Sequence, residues 1–122
     1  MHDPHSYPFP SRRTVVFACG GMVATSQHLA AEAGLDAIKR GGNAIDAAVA
    51  AASCLTVVEP TSNGVGGDAF AIVCFGGRLY GLNSSGPAPG SASIEALRRR
   101  GYSSMPLRGF LPVTVPGIPA AW

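Results

Sequence analysis

The chain has 122 residues, 47% hydrophobic and 13% charged, with a mean hydropathy of +0.24. That length suits one domain or part of one, and the charge is well below the ~25% of an average soluble domain, so one face is expected to meet another segment. Nine Lys and Arg against seven Asp and Glu leave a net charge of +2, too little for the basic stripe of a nucleic-acid binder, and the uncharged apolar stretch Ala47–Val58 is well short of the ~20 residues that span a bilayer.

The first residues, Met1 to Pro10, hold three prolines and no basic head followed by an apolar run. Residues 1–13 are expected to form a flexible tail, and the protein is expected in the cytoplasm. Thr14–Cys19 reads as a short buried strand stopped by Gly20-Gly21. Ser26 is placed to cap a helix whose apolar face carries Leu29, Ala30, Ala33, Gly34, Ala37 and Ile38, with Lys39 and Arg40 in the last turn and Gly41-Gly42 closing it.

Asn43 starts a second helix, with Asp46 as its capping-box partner. From Ala44 to Val57 this helix is apolar almost all round, so it is expected to be buried between layers. Glu59-Pro60 ends it, and Thr61 to Asp68 is a glycine-rich loop. Ala69–Phe75, the turn Gly76-Gly77 and Arg78–Asn83 read as a hairpin. Ser84 to Gly90 is loop, Ser93 to Arg100 a short helix with its arginines at the negative end of the dipole, and Pro106, Pro112, Pro116 and Pro119 are expected to keep the rest extended. Two helices followed by an antiparallel pair make the fold class α+β. The end at Trp122 carries no terminal punctuation, so the chain reads as part of something longer.

The chemistry-bearing patterns exclude more than they assign. Gly64-Val65-Gly66-Gly67-Asp68-Ala69 follows a helix and precedes a strand, the reverse of a dinucleotide-binding turn, and it lacks the lysine of a phosphate loop. It reads instead as a tight turn needing positive φ and close backbone contact. Cys19, Cys54 and Cys74 are too far apart for a CxxC pair and read as buried free thiols, while His2, His5 and His28 do not group with them at metal spacing. No serine stands in a nucleophile elbow.

The string Gly41-Gly42-Asn43-Ala44-Ile45-Asp46-Ala47-Ala48-Val49-Ala50, then Val57-Val58-Glu59-Pro60 and Gly64 to Phe70, resembles the opening of the gamma-glutamyltranspeptidase family. Gly21 to Ser26, Leu82 to Pro89 and Val115-Pro116-Gly117 follow in that family's order. The resemblance covers residues 14–122 and implies the N-terminal segment of an αββα N-terminal-nucleophile hydrolase sandwich. It implies a precursor that cuts itself into large and small subunits, no cofactor and no metal. The catalytic threonine, at the start of the small subunit, is both nucleophile and, through its amine, its own base. None of Thr14, Thr25, Thr56, Thr61 or Thr114 stands in that context, so the resemblance transfers no catalytic residue to this chain.

Gap-free matching sets Ser85 where the family carries an arginine that grips the α-carboxylate of a gamma-glutamyl group. Serine gives one neutral hydrogen bond in place of a two-pronged ionic clamp. Ser85 is therefore either a plain loop residue or a substrate-facing one with altered selectivity. The implied function is gamma-glutamyl transfer or glutathione-type amide hydrolysis. The alternatives are a cephalosporin-acylase-like amidohydrolase and a non-catalytic fragment. The expected partners are an acyl amide substrate and the rest of both subunits.

Overall fold

The computed structural model describes residues 15–122; the expected tail, residues 1–13, and Thr14 lie outside the described residues. Six elements follow in order: α1 (His28–Lys39), α2 (Ala44–Val58), β1 (Ala69–Phe75), β2 (Arg78–Ser84), α3 (Ile94–Arg99) and α4 (Ile118–Ala121). The architecture is α+β, a packed helix pair beside a two-stranded antiparallel sheet.

The helix pair closes on its smallest residues. Ala30 and Gly34 of α1 meet Ala47 and Ala51 of α2, and these four are the buried positions of the two helices. A Cβ built at Gly34 would stand 2.9 Å from the Ala47 carbonyl oxygen and 2.9 Å from Val23 Cγ1, so only a glycine lets the two backbones come this near. The capping box opening α2 forms as expected. Asn43 Oδ1 accepts from the amides of Ile45 and Asp46, and Asp46 Oδ2 accepts from the Asn43 amide at 2.8 Å. The cap of α1 does not. Gln27, not Ser26, holds that position, its side-chain oxygen accepting from Leu29 N at 2.6 Å, because the Ser26 hydroxyl donates to Glu59 instead.

The hairpin pairs Ala69 with Ser84 through Phe75 with Arg78, which extends β2 one residue beyond the expected Asn83. Gly76 and Gly77 take φ of +56° and +74°, the left-handed pair that a two-residue turn requires and that side chains oppose. Alternation sets Ala69, Ala71 and Val73 on the half-buried face and Phe70, Ile72 and Cys74 on the exposed one.

Several expectations are corrected. Val15–Ala18 forms no strand and is exposed, because no strand among the described residues pairs with it and an unpaired strand gains no ladder bonds. α2 is not enclosed: Val57 is 77% exposed, and an apolar groove of about 410 Å³ separates Ala48, Val49 and Ala52 from Ala71, Val73 and Leu82 of the hairpin. The three cysteines are free, but Cys19 and Cys74 are exposed and Cys54 is half-buried. The segment before Trp122 is not wholly extended, since α4 forms with Pro119 in its first turn, where a missing amide breaks no helical bond. Finally, Gly64, Gly66 and Gly67 do not take positive φ; the contact this loop makes runs through the Gly67 carbonyl.

Candidate functional site

Three segments far apart in sequence converge at the end of β2. The Gly67 carbonyl accepts from the amides of Gly117 (3.0 Å) and Ile118 (3.3 Å), and the Val115 amide donates to the Pro87 carbonyl at 2.9 Å. Gly86, with φ of +76°, lies so close to Val115 that a Cβ would collide with its carbonyl oxygen, and a Cβ on Gly117 would collide with the carbonyl of Ser84. Backbone thus packs on backbone, which fixes the path of residues 83–87 without a core of side chains.

The two adjacent serines divide the work. Ser84 Oγ donates to the Gly117 carbonyl at 2.7 Å, tying the end of β2 to the lead-in of α4. The backbone of Ser85 is held on both sides: its amide donates to Asn83 Oδ1 at 3.1 Å, and its carbonyl accepts from Thr114 Oγ1 at 3.2 Å. The Ser85 hydroxyl makes no hydrogen bond among the described residues, and the residue is exposed. A side chain leaving a fixed backbone with an unused hydroxyl is an arrangement that can face a ligand.

These residues line a groove of about 520 Å³ formed by Asn83 to Pro87, Val115 to Gly117 and Ala120. None of them is ionisable, so hydrogen-bonding groups of this wall are neutral and a carboxylate lying here gains no ion pair from it. The groove contains Ser85, the candidate from sequence, and brings to it Thr114, which sequence reasoning considered only as a nucleophile and set aside. Thr114 braces the Ser85 backbone. Ser84 was missed as the latch, because its partner lies 33 residues away and nothing local marks which serine of a pair will bond. Thr56 is likewise a local brace, its hydroxyl donating to the Ser53 carbonyl at 2.7 Å. Among the described residues no group of three His, Cys, Asp or Glu could hold a metal ion, and no helix is long and apolar enough to cross a membrane.

The end of β2 and the turn Val115-Pro116-Gly117 thus form one wall of a groove on an α+β layer. The chain belongs to the gamma-glutamyltranspeptidase family: residues 30–122 match it, and they correspond to the N-terminal part of the large subunit. The glutathione hydrolase proenzyme 1 of Schizosaccharomyces pombe is 37% identical over 108 residues, a match covering 88% of this chain and 17% of that protein. The crystal structure of a cephalosporin acylase from Bacillus halodurans is 63% identical, with a TM-score of 0.87 over 100% of this chain and 23% of its own. Helicobacter pylori gamma-glutamyltranspeptidase is 32% identical with a TM-score of 0.76, covering 88% of this chain and 32% of its own. The chain thus spans less than a third of the length of each of these relatives.

Proposed function

We propose that the full-length protein is an amide hydrolase or acyltransferase of gamma-glutamyltranspeptidase type, and that this chain contributes the Ser85 wall of its acyl-binding groove. The reaction is acyl transfer through a threonine ester. The amine of the N-terminal threonine takes the proton from its own hydroxyl, the oxygen attacks the amide carbonyl, and the leaving amine departs with that proton. Water, or an acceptor amine, then attacks the ester and releases the acid or the new amide. The family match over residues 30–122 carries this reading.

The chain holds no residue in the nucleophile's context, so made alone it is catalytically silent. A precursor that cleaves itself to expose the threonine is part of the same proposal, supported by the proenzyme designation of the yeast relative. Intact-mass analysis of the native protein is expected to find two chains, and replacing the new N-terminal threonine by alanine to leave one inactive chain. A single uncut chain with full activity would overturn the mechanism.

A second reading concerns the acyl group and is favoured by two observations. The groove beside Ser85 has no ionisable residue, and the cephalosporin acylase is 63% identical over the whole chain. A gamma-glutamyl donor differs from a glutaryl one only by its α-ammonium group, and a wall with no carboxylate offers that cation no ion pair, so both observations support an acyl group without it, such as a glutaryl amide. Rates on gamma-glutamyl and glutaryl anilides, measured side by side on the full-length enzyme, decide between them.

A further inference from the structure

The carboxylate of Glu59 sits where three segments meet, away from the groove. Its Oε2 accepts from Ser26 Oγ at 2.6 Å and from Asn63 Nδ2 at 3.1 Å. The turn after α2 does not require this carboxylate. The Glu59 backbone carbonyl already accepts from the amides of Ser62 and Asn63, both at 3.2 Å, and any residue could supply that. The carboxylate therefore serves another purpose: it joins the lead-in of α1 to Asn63, the residue from which the loop Gly64 to Asp68 departs.

From Asn63 the connection runs on through hydrogen bonds already described. Gly67, four residues beyond Asn63, receives the amides of Gly117 and Ile118 through its carbonyl, and the Gly117 carbonyl receives the Ser84 hydroxyl. Ser85 is the next residue. The loop is thus held at Asn63 by the Glu59 carboxylate and at Gly67 by the amides of Gly117 and Ile118, and Gly117 in turn holds the Ser84 hydroxyl.

We infer that Glu59 is a positioning residue that fixes the Ser85 loop through the glycine loop and Gly117. Its two charge-assisted hydrogen bonds, from Ser26 and Asn63, each bind more strongly than a neutral pair. A glycine-rich loop depends on such anchors for its place. The catalytic consequence rests on the proposed acyl-binding role of Ser85; the mechanical one does not.

The test uses the full-length protein, with hydrogen exchange read on peptides covering residues 114–118 beside activity. Glu59→Ala should speed exchange of the Gly117 amide about tenfold, as expected for removing hydrogen bonds to a charged acceptor. Glu59→Gln, whose amide oxygen can still accept one of the two bonds, should restore most of the protection. In kinetics Glu59→Ala should raise KM for the acyl donor with a smaller change in kcat, and combining it with Ser85→Ala should give less than the product of the two single effects. Should Glu59→Ala not fold, Ser26→Ala and Asn63→Ala each remove one leg and should each give part of the same exchange signature. Faster exchange confined to residues 26–63, with Gly117 unchanged, would overturn the inference, as would strict multiplicativity with Ser85→Ala. A wild-type enzyme that exchanges as expected but cleaves neither anilide would refute the proposed function and leave the positioning role standing.

Discussion

Arginine at position 85 puts the selectivity argument to a direct test. In the full-length enzyme, Ser85→Arg introduces a guanidinium on a backbone already held through Asn83 and Thr114, next to a groove whose lining carries no other charge. A charge-assisted hydrogen bond to a carboxylate contributes about 1.5 to 3 kcal/mol. Ser85 is exposed, which favours the lower end of that range, and ordering the long side chain offsets part of the gain, up to about 2 kcal/mol if it is wholly frozen. A net effect of about 1 kcal/mol remains, which is roughly a fivefold rise in kcat/KM for the gamma-glutamyl anilide relative to a butyryl one, which lacks the carboxylate that gamma-glutamyl and glutaryl groups share. Ser84→Ala supplies the control. It breaks the latch to Gly117 and should lower both substrates together without moving their ratio. An unchanged ratio in Ser85→Arg, with the variant folded and processed, would show that this side chain does not meet the carboxylate.

Three further outcomes follow from the packing. Gly34→Ala improves helix propensity by about 1 kcal/mol, yet its methyl meets the Ala47 carbonyl and Val23 at 2.9 Å, and overpacking costs about 1 to 3 kcal/mol; thermal unfolding of the full-length protein should show a lower Tm, and a higher one would refute the close approach of α1 and α2. Gly117→Ala is a cleaner probe of the groove, because φ there is −90° and alanine adopts it freely, so any loss of substrate binding reports the collision with the Ser84 carbonyl; wild-type KM would refute the contact. The 122-residue chain made alone should self-associate and bind hydrophobic dyes, since among the described residues the buried apolar ones are Ala30, Ala47 and Ala51 while Ile72, Val57 and Phe110 are 82%, 77% and 96% exposed; light scattering that finds a monodisperse monomer with a cooperative melt would refute this.

Where structure is decided within a few residues, the sequence discloses it. The α2 cap needs only Asn43 and Asp46, three apart, and the hairpin register follows from Gly76-Gly77 and the alternation on either side. Misreadings occur where a distant residue competes. Ser26 is a good cap by type, but its hydroxyl donates to a carboxylate 33 residues away, and the amide of Leu29 turns to Gln27 instead. Ser84 and Ser85 are chemically identical, and their roles separate only because Gly117 arrives beside the first of them. Pro119 reads the same in an extended segment and in a helix's first turn, so α4 becomes visible only with Gly67 bonded to Ile118. The choices made at Ser84 and Ile118 lead to neighbouring carbonyls, those of Gly117 and Gly67. The groove is therefore a property of backbone approach, specified by which residues lack a Cβ and which hydroxyl is left over. Composition and periodicity do not record such approaches. Ser85 is singled out by the family resemblance and not by composition or spacing, because gap-free matching carries over a position whatever residue stands there.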